Sequence, residues 1–345
     1  LITYEPFYNF FTGLPVCFTP EVEIRTILAS FDIIRTIINS IDSQTPIDEN
    51  ILLIFYQIQE NIIILINTHE FTDYFRKRAI QLLDDMIKIT PEDRVLALFQ
   101  TFTSFIDPTN YPSISEHAIK ASYDLFQHYP QLYETVFDDS NEYLSSLFSL
   151  FQEDFNCIKY STQILQPLLI NPSSCENLVQ LGVIPLIYQT FQRAYSEGNL
   201  QLSILLCECL AIVSEQSPNC CAEIVGNGLL GIEGLVNCPF KMTIQLLRII
   251  HTSVVQGIIQ VNDETKATLM NVVEQCLQTE NQEYIIKSLN IIAIISDEDP
   301  NIIHQFINEL QTLTYGEHGE EISNESNLLI QKIKKKFFLV LIIMF

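Results

Sequence analysis

The sequence has no tryptophan, only 10 glycines in 345 residues, and only 18 lysine and arginine residues against 42 aspartate and glutamate residues. Each shortage excludes something. Glycine at about 3%, against roughly 7% in average proteins, is too scarce for Gly-rich loops, for sandwiches with many tight turns, or for most multi-loop active sites. The formal net charge of -24 repels phosphate backbones, so nucleic acid is not an expected partner. Charged residues make up 17% of the chain and hydrophobic residues 48%, which excludes a disordered chain and supplies a large core. Period-two alternation with Asn-Gly or Asp-Gly turns is absent, so hairpins are not expected.

Cysteine is present but unpatterned. The nine residues are Cys17, Cys157, Cys175, Cys207, Cys209, Cys220, Cys221, Cys238 and Cys276. Their number is odd, and a chain of this size needs no covalent staples, so reduced cysteines acting as small hydrophobes are expected. Cys207/Cys209 and Cys220/Cys221 lack the C-x-x-C or Cys/His spacing of a zinc site, and no metal is expected. The first 20 residues have no basic segment and contain Gly13, Pro15 and Pro20, unlike a secretory signal. An intracellular protein is expected, cytoplasmic or alternatively nuclear. The chain starts at Leu1, as a fragment also would, and the sequon Asn324-Glu325-Ser326 does not alter the compartment.

What fills the chain is amphipathic helix. Apolar residues at three- and four-residue spacing predict helices over Glu21–Ile41, Asp48–Asn67, Thr72–Ile89, Pro91–Ile106, Ser115–His128, Asn141–Gln152 and Asn156–Leu169. In the last of these, Ile158, Thr162, Leu165 and Leu169 share a face. Thr90-Pro91-Glu92-Asp93 reads as a helix start, with Thr90 capping and Pro91 at the first helical position. Ser115-Glu116 and Asp297-Glu298-Asp299-Pro300 read the same way. No long Gly/Ser/Pro linker divides the chain, so one helical unit over residues 1–326 is expected, with residues 1–20 as an N-terminal capping segment, followed by a basic-apolar C-terminal helix or tail at 327–345.

Two internal matches turn this pattern into a repeat. Leu210-Ala-Ile-Val-Ser-Glu-Gln-Ser-Pro-Asn219 aligns without gaps on Ile292-Ala-Ile-Ile-Ser-Asp-Glu-Asp-Pro-Asn301, and Pro172–Leu186 aligns on Pro218–Ile232. The offsets of 82 and 46 correspond to two repeats of about 41 residues and one long repeat. Asn171-Pro-Ser-Ser-Cys-Glu-Asn-Leu-Val-Gln-Leu-Gly-Val-Ile-Pro-Leu-Ile187 resembles the armadillo-repeat junction, in which a short helix stops at a glycine and an apolar pair opens the next. Gly182 and Gly228 are the expected left-handed stops. The resemblance extends from about residue 156 to 310; upstream the repeats are degenerate and equally HEAT-like. It implies an all-α fold, a right-handed α-α superhelix (an armadillo/HEAT-like solenoid) with an extended concave surface for a partner.

Armadillo proteins that bind extended peptides, such as importin alpha, carry a Trp and, four residues on, an Asn along the third helix. Here the Trp positions hold Thr162, Glu208 and Asn290, and the Asn positions hold Gln166, Ile212 and Ile294. The import ladder is therefore absent. Thr162, Gln166, Glu208 and Asn290 remain groove candidates by register alone.

Other constellations carry no chemistry that survives inspection. Gly226-Asn-Gly228-Leu-Leu-Gly231 spells G-x-G-x-x-G, but it follows a segment that aligns with a helix, and Leu247, Arg248 and Ile249 stand where a ribose-binding acid belongs. The acid pairs Asp84-Asp85, Asp138-Asp139, Asp297-Glu298-Asp299 and Glu320-Glu321 read as solvation at helix starts, loops and polar faces. Histidines 69, 117, 128, 251, 304 and 318 form no pair at metal spacing; His251 and His304 read as core-edge or capping residues. The aromatic run Phe7–Phe11 reads as a cap on the first repeat. No enzymatic activity and no cofactor are expected.

The last feature is Lys332-Ile-Lys-Lys-Lys336 followed by nine unbroken apolar residues, Phe337–Phe345. Nine residues do not span a bilayer. Lys334, Lys335, Lys336, Phe337 and Phe338 are candidates for contact with an anionic membrane surface. The expected function is a non-catalytic protein-protein interaction scaffold or adaptor, holding a partner with a basic segment on the concave surface. The alternatives are a karyopherin-like transport adaptor and a membrane-peripheral structural protein using the tail.

Overall fold

In the computed structural model the described residues are 12–41, 47–68, 71–137, 141–232, 235, 238–259, 263–298, 302–315 and 318–344, with side chains of the last helix described up to Lys332. Among them are eighteen α-helices and no strand, so the protein is all-α. The helices are α1 (Ile24–Ser40), α2 (Glu49–Thr68), α3 (Asp73–Met86), α4 (Glu92–Thr103), α5 (Ser115–His128), α6 (Leu132–Phe137), α7 (Asn141–Ser149), α8 (Phe155–Ile170) and α9 (Pro172–Gln180). They continue as α10 (Val183–Ser196), α11 (Leu200–Gln216), α12 (Pro218–Gly226), α13 (Phe240–Val255), α14 (Asp263–Leu277), α15 (Gln282–Glu298), α16 (Ile302–Gln305), α17 (Ile307–Tyr315) and α18 (Glu320–Met344). The chain divides into two compact units, Leu1–Ile164 and Leu165–Phe345.

In the first unit α1 packs on α3 and α3 on α5, while α2 and α4 form a second layer that covers them. Helix α8 joins the same row through Tyr123 and Tyr160, whose rings lie 5.7 Å apart, and through Asn156 Nδ2, which donates to Glu116. Phe31, Phe55, Phe75, Phe102 and Phe126 are fully buried and fill the space between the layers. Helix α2 is, among the described residues, the one helix long and apolar enough to cross a membrane, with a mean hydropathy of 1.3 over Glu49–Asn67. One face of it is buried and the other is exposed, with Leu53 and Ile64 among the exposed residues. Ile51, Phe55, Ile58, Ile62 and Leu65 are buried, and Gln59 in their midst donates to Thr90 Oγ1 at 2.8 Å.

Thr90 is therefore not the predicted cap. Its hydroxyl donates to the Met86 carbonyl and accepts from Gln59, and Pro91 takes the cap position of α4 without a side-chain bond. Ser115 likewise turns inward, donating to the Phe105 and Tyr111 carbonyls. Asp297 and Glu298 lie at the end of α15 rather than at a helix start; the predicted start at Asp299-Pro300 and the aromatic run Phe7–Phe11 lie outside the described residues.

In the second unit α11 packs on α13, α13 on α15 and α15 on α18, with α10, α12, α14, α16 and α17 on the other layer. The 46-residue match is reproduced up to its glycine: α9 and α12 each have nine residues and start on a proline, and Gly182 and Gly228 follow with φ of 85° and 84°. Asn171 caps the first helix through Ser173 and Ser174 N–H, and Ser217 caps the second through Cys220 N–H. The two copies then diverge. Gly182 opens the fourteen-residue α10, whereas Gly228 opens only a 3-10 turn, Leu229–Gly231. Eight of the nine cysteines are buried, as small apolar residues in a core are.

Candidate partner-binding surface

The row helices expose one face, and its side chains are tied across helices. In the second unit Arg248 on α13 reaches Glu215 on α11 with two bonds, Nε at 2.9 Å and Nη2 at 2.6 Å, while Nη1 donates to Gln245. The paired carboxylate raises the Arg248 pKa further. On α15, Glu283 pairs with Lys287 one turn on at 2.8 Å, which holds its carboxyl below the usual range. Lys332 on α18 donates to Ser296 Oγ at 2.9 Å and pairs with Asp297. Between these pairs lies His251 on α13, whose pKa is lowered by burial and then by Lys287.

Glu215 and Asp297 occupy equivalent positions in the 82-residue echo, and each is paired with a cation on the next helix of the row. The preceding serines are also equivalent. Ser214 and Ser296 are fully buried, and each donates at 2.7 Å to the carbonyl three residues back, Ala211 or Ala293. Ser253 on α13 makes the same bond to Ile250 at 2.9 Å, a middle copy that the sequence comparison did not find.

The first unit repeats the device. Asp32 and Arg35 on α1 pair with Arg78 and Asp85 on α3, the second pair at 2.6 Å. Lys120 on α5 bridges Asp84 on α3 at 2.7 Å and Asp124 at 2.5 Å. Asp84-Asp85 is thus not free solvation at a helix end. Burial pushes the Asp84 carboxyl up to about 6, against the pull of Lys120.

Row membership also sorts the charges. The eight row helices, α1, α3, α5, α8, α11, α13, α15 and α18, contain 14 of the 42 acidic residues and 14 of the 18 basic ones. The rest of the chain holds the remaining 28 acidic and 4 basic residues, and hence the whole of the -24 net charge. Counting charges along the sequence does not show this partition; it appears only once the helices are assigned to layers.

The groove candidates separate in the same frame. Glu208 and Asn290 are half-buried on the open faces of α11 and α15, and Gln166 is half-buried on α8. Thr162 is sealed inside, with no solvent exposure and its hydroxyl donated to the Ile158 carbonyl at 2.7 Å. Lys334, Lys335, Lys336, Phe337 and Phe338 fall within the helical span of α18, but their side chains lie outside the described residues. The G-x-G-x-x-G stretch runs from the last residue of α12 through Gly228 into the 3-10 turn. Among the described residues no group of three or more His, Cys, Asp and Glu is placed to hold a metal ion. No known family model and no curated protein matches the chain.

Proposed function

We propose that the chain is an armadillo/HEAT-type α-solenoid acting as a non-catalytic scaffold for a protein partner that carries a basic segment. The observation that carries this reading is a register of small, fully buried side chains in successive row helices. Ser122 and Ser161 hold it in the first unit, 39 residues apart. Ser203, Thr243, Ser288 and Ser326 hold it in the second, at intervals of 40, 45 and 38 residues. A small side chain lets two helices approach closely, and Ser161 and Ser203 satisfy their hydroxyls on their own helix, at the Cys157 and Asn199 carbonyls. A unit that repeats its packing at such a period buries each helix pair against the next, and stacked units offer an extended surface.

The net charge supplies the long-range attraction for a basic partner. Anisotropy titration of a labelled lysine- and arginine-rich peptide tests the reading. Affinity falls steeply from low to physiological salt; binding that ignores salt, or no binding, refutes it. The continuation of α18 through the lysine cluster and the apolar run supports a second reading, contact with an anionic membrane surface. Co-sedimentation with phosphatidylserine vesicles, with and without residues 333–345, separates the two.

A further inference from the structure

Outside the row of the second unit lies a cleft between the α14–α15 turn and α17. It encloses about 300 Å³ and is floored by Leu277 and Leu313, both buried. Two carboxylates line it, Glu280 at the exposed rim and Glu309 on α17, with Asn308 and His318 beside them and no lysine or arginine in the lining. The far wall is pinned to α15, because Gln282 Nε2 donates to the His318 carbonyl at 3.0 Å. Glu309 Oε2 is out of solvent and receives no hydrogen bond. The side chain as a whole is half-buried, so the carboxylate lies at the edge of the cleft with one oxygen withdrawn from solvent and without a donor.

We propose that this cleft receives a cationic side chain, arginine or lysine, from a basic protein segment, an inference that rests on the scaffold reading above. The methylene stem packs on Leu277 and Leu313 while the charged head donates to Glu309, with Glu280 as a second carboxylate at the mouth. Arginine fits best, since its planar fork satisfies both oxygens of one carboxylate. On the row, by contrast, Glu215, Glu283 and Asp297 are already engaged by Arg248, Lys287 and Lys332.

The test uses the full chain and a labelled peptide of alternating arginine and serine, titrated by anisotropy at physiological salt. Glu309→Gln weakens binding by about tenfold, the scale of one charge-assisted hydrogen bond lost. Glu274→Gln, which removes the same charge from an exposed site on α14 outside the cleft, changes affinity less than about twofold, as distant screened charges do. Thr312→Trp, at an exposed position of the lining, fills the mouth, leaves both carboxylates in place and weakens binding to a similar degree. Equal affinities for the Glu309 and Glu274 variants overturn the cleft while leaving the scaffold reading standing. A wild-type chain that does not bind the peptide removes both. Spermidine that binds more tightly than the peptide, in a manner dependent on Glu309, overturns the protein segment in favour of a free polyamine.

Discussion

The two repeated glycines permit a test in which three chemically identical substitutions have different signs. Gly182 and Gly228 sit in left-handed conformation at φ of 85° and 84°, and Gly226, two residues before the second, closes α12 with ordinary helical backbone. A Cβ built at Gly182 or Gly226 meets nothing within 4 Å, and at Gly228 only Tyr188 Oη, at 3.9 Å. Steric overlap is therefore absent at all three sites, and backbone conformation alone sets the outcome. Alanine in the left-handed region costs about 1–2 kcal/mol, so Gly182→Ala and Gly228→Ala each destabilise by about 1 kcal/mol or slightly more. Gly226→Ala relieves a helical glycine and stabilises by about 0.5 kcal/mol, part of the full propensity difference because the site is in the last turn. Urea unfolding followed by circular dichroism reads both directions, and the melting temperature moves by about 2 °C per kcal/mol in a domain of this size. A dinucleotide loop would need the first and middle glycines alike, whereas a helix stop needs only the middle one. A Gly226→Ala variant as damaged as Gly228→Ala refutes the helix-stop account.

Three further outcomes follow from burial and pairing. Burial raises the thiols of Cys157 and Cys276 to about 12 and those of Cys175 and Cys221 to about 11, so a thiol-exchange reagent at pH 8 titrates the half-exposed Cys17 quickly and the other eight only in denaturant; several fast-reacting thiols in the folded chain contradict the packing. The Asp84 carboxyl, raised to about 6 by burial beside Lys120 and Asp124, lies above its unfolded value near 3.9, so its contribution is fully present below about pH 4 and is lost as pH rises through 6. The stability of Asp84→Asn relative to wild type accordingly increases between pH 4 and pH 7, and a difference independent of pH in urea midpoints refutes this. Finally, Ser203→Leu and Ser288→Leu overpack the helix crossings at a cost of about 1–3 kcal/mol, while the same change at exposed Ser196 is within about 0.5 kcal/mol of neutral; equal melting temperatures for all three variants deny the register its packing role.

The helices and the glycine stops were legible in the sequence because their signals are local. Helical periodicity placed Ser115–His128 correctly to the residue, and the Pro-to-Gly frame of 172–182 and 218–228 predicted two left-handed glycines that the structure contains. What was misread depends on partners far along the chain. Thr90 looks like a cap until Gln59, 31 residues earlier, takes its hydroxyl, and Asp84 looks solvated until Lys120, 36 residues later, reaches it. The hydroxyl register was hidden because its intervals vary and Thr243 replaces a serine, which defeats a comparison at constant offset. Glu309 gave no signal at all, since the burial of its oxygen depends on where the α14–α15 turn faces α17.

The charge partition has a physical origin in the same geometry. Row helices lie side by side with no layer between them and their neighbours, so an acid near a helix end meets the side chains of the next helix in the row. Asp84, Asp85, Glu215 and Asp297 sit within the last turn of their helices, and each has a cation 33 to 50 residues away on an adjacent row helix. An acid there without its cation would stand half-buried beside other carboxylates, which raises the cost of ionisation, as Asp84 shows even with Lys120 in place. Most acids on the turns and outer helices, Glu309 apart, face water and carry no such constraint. The packing of one helix on the next therefore also sets where charge must cancel, and the uncompensated acids are left to the loops, turns and outer helices.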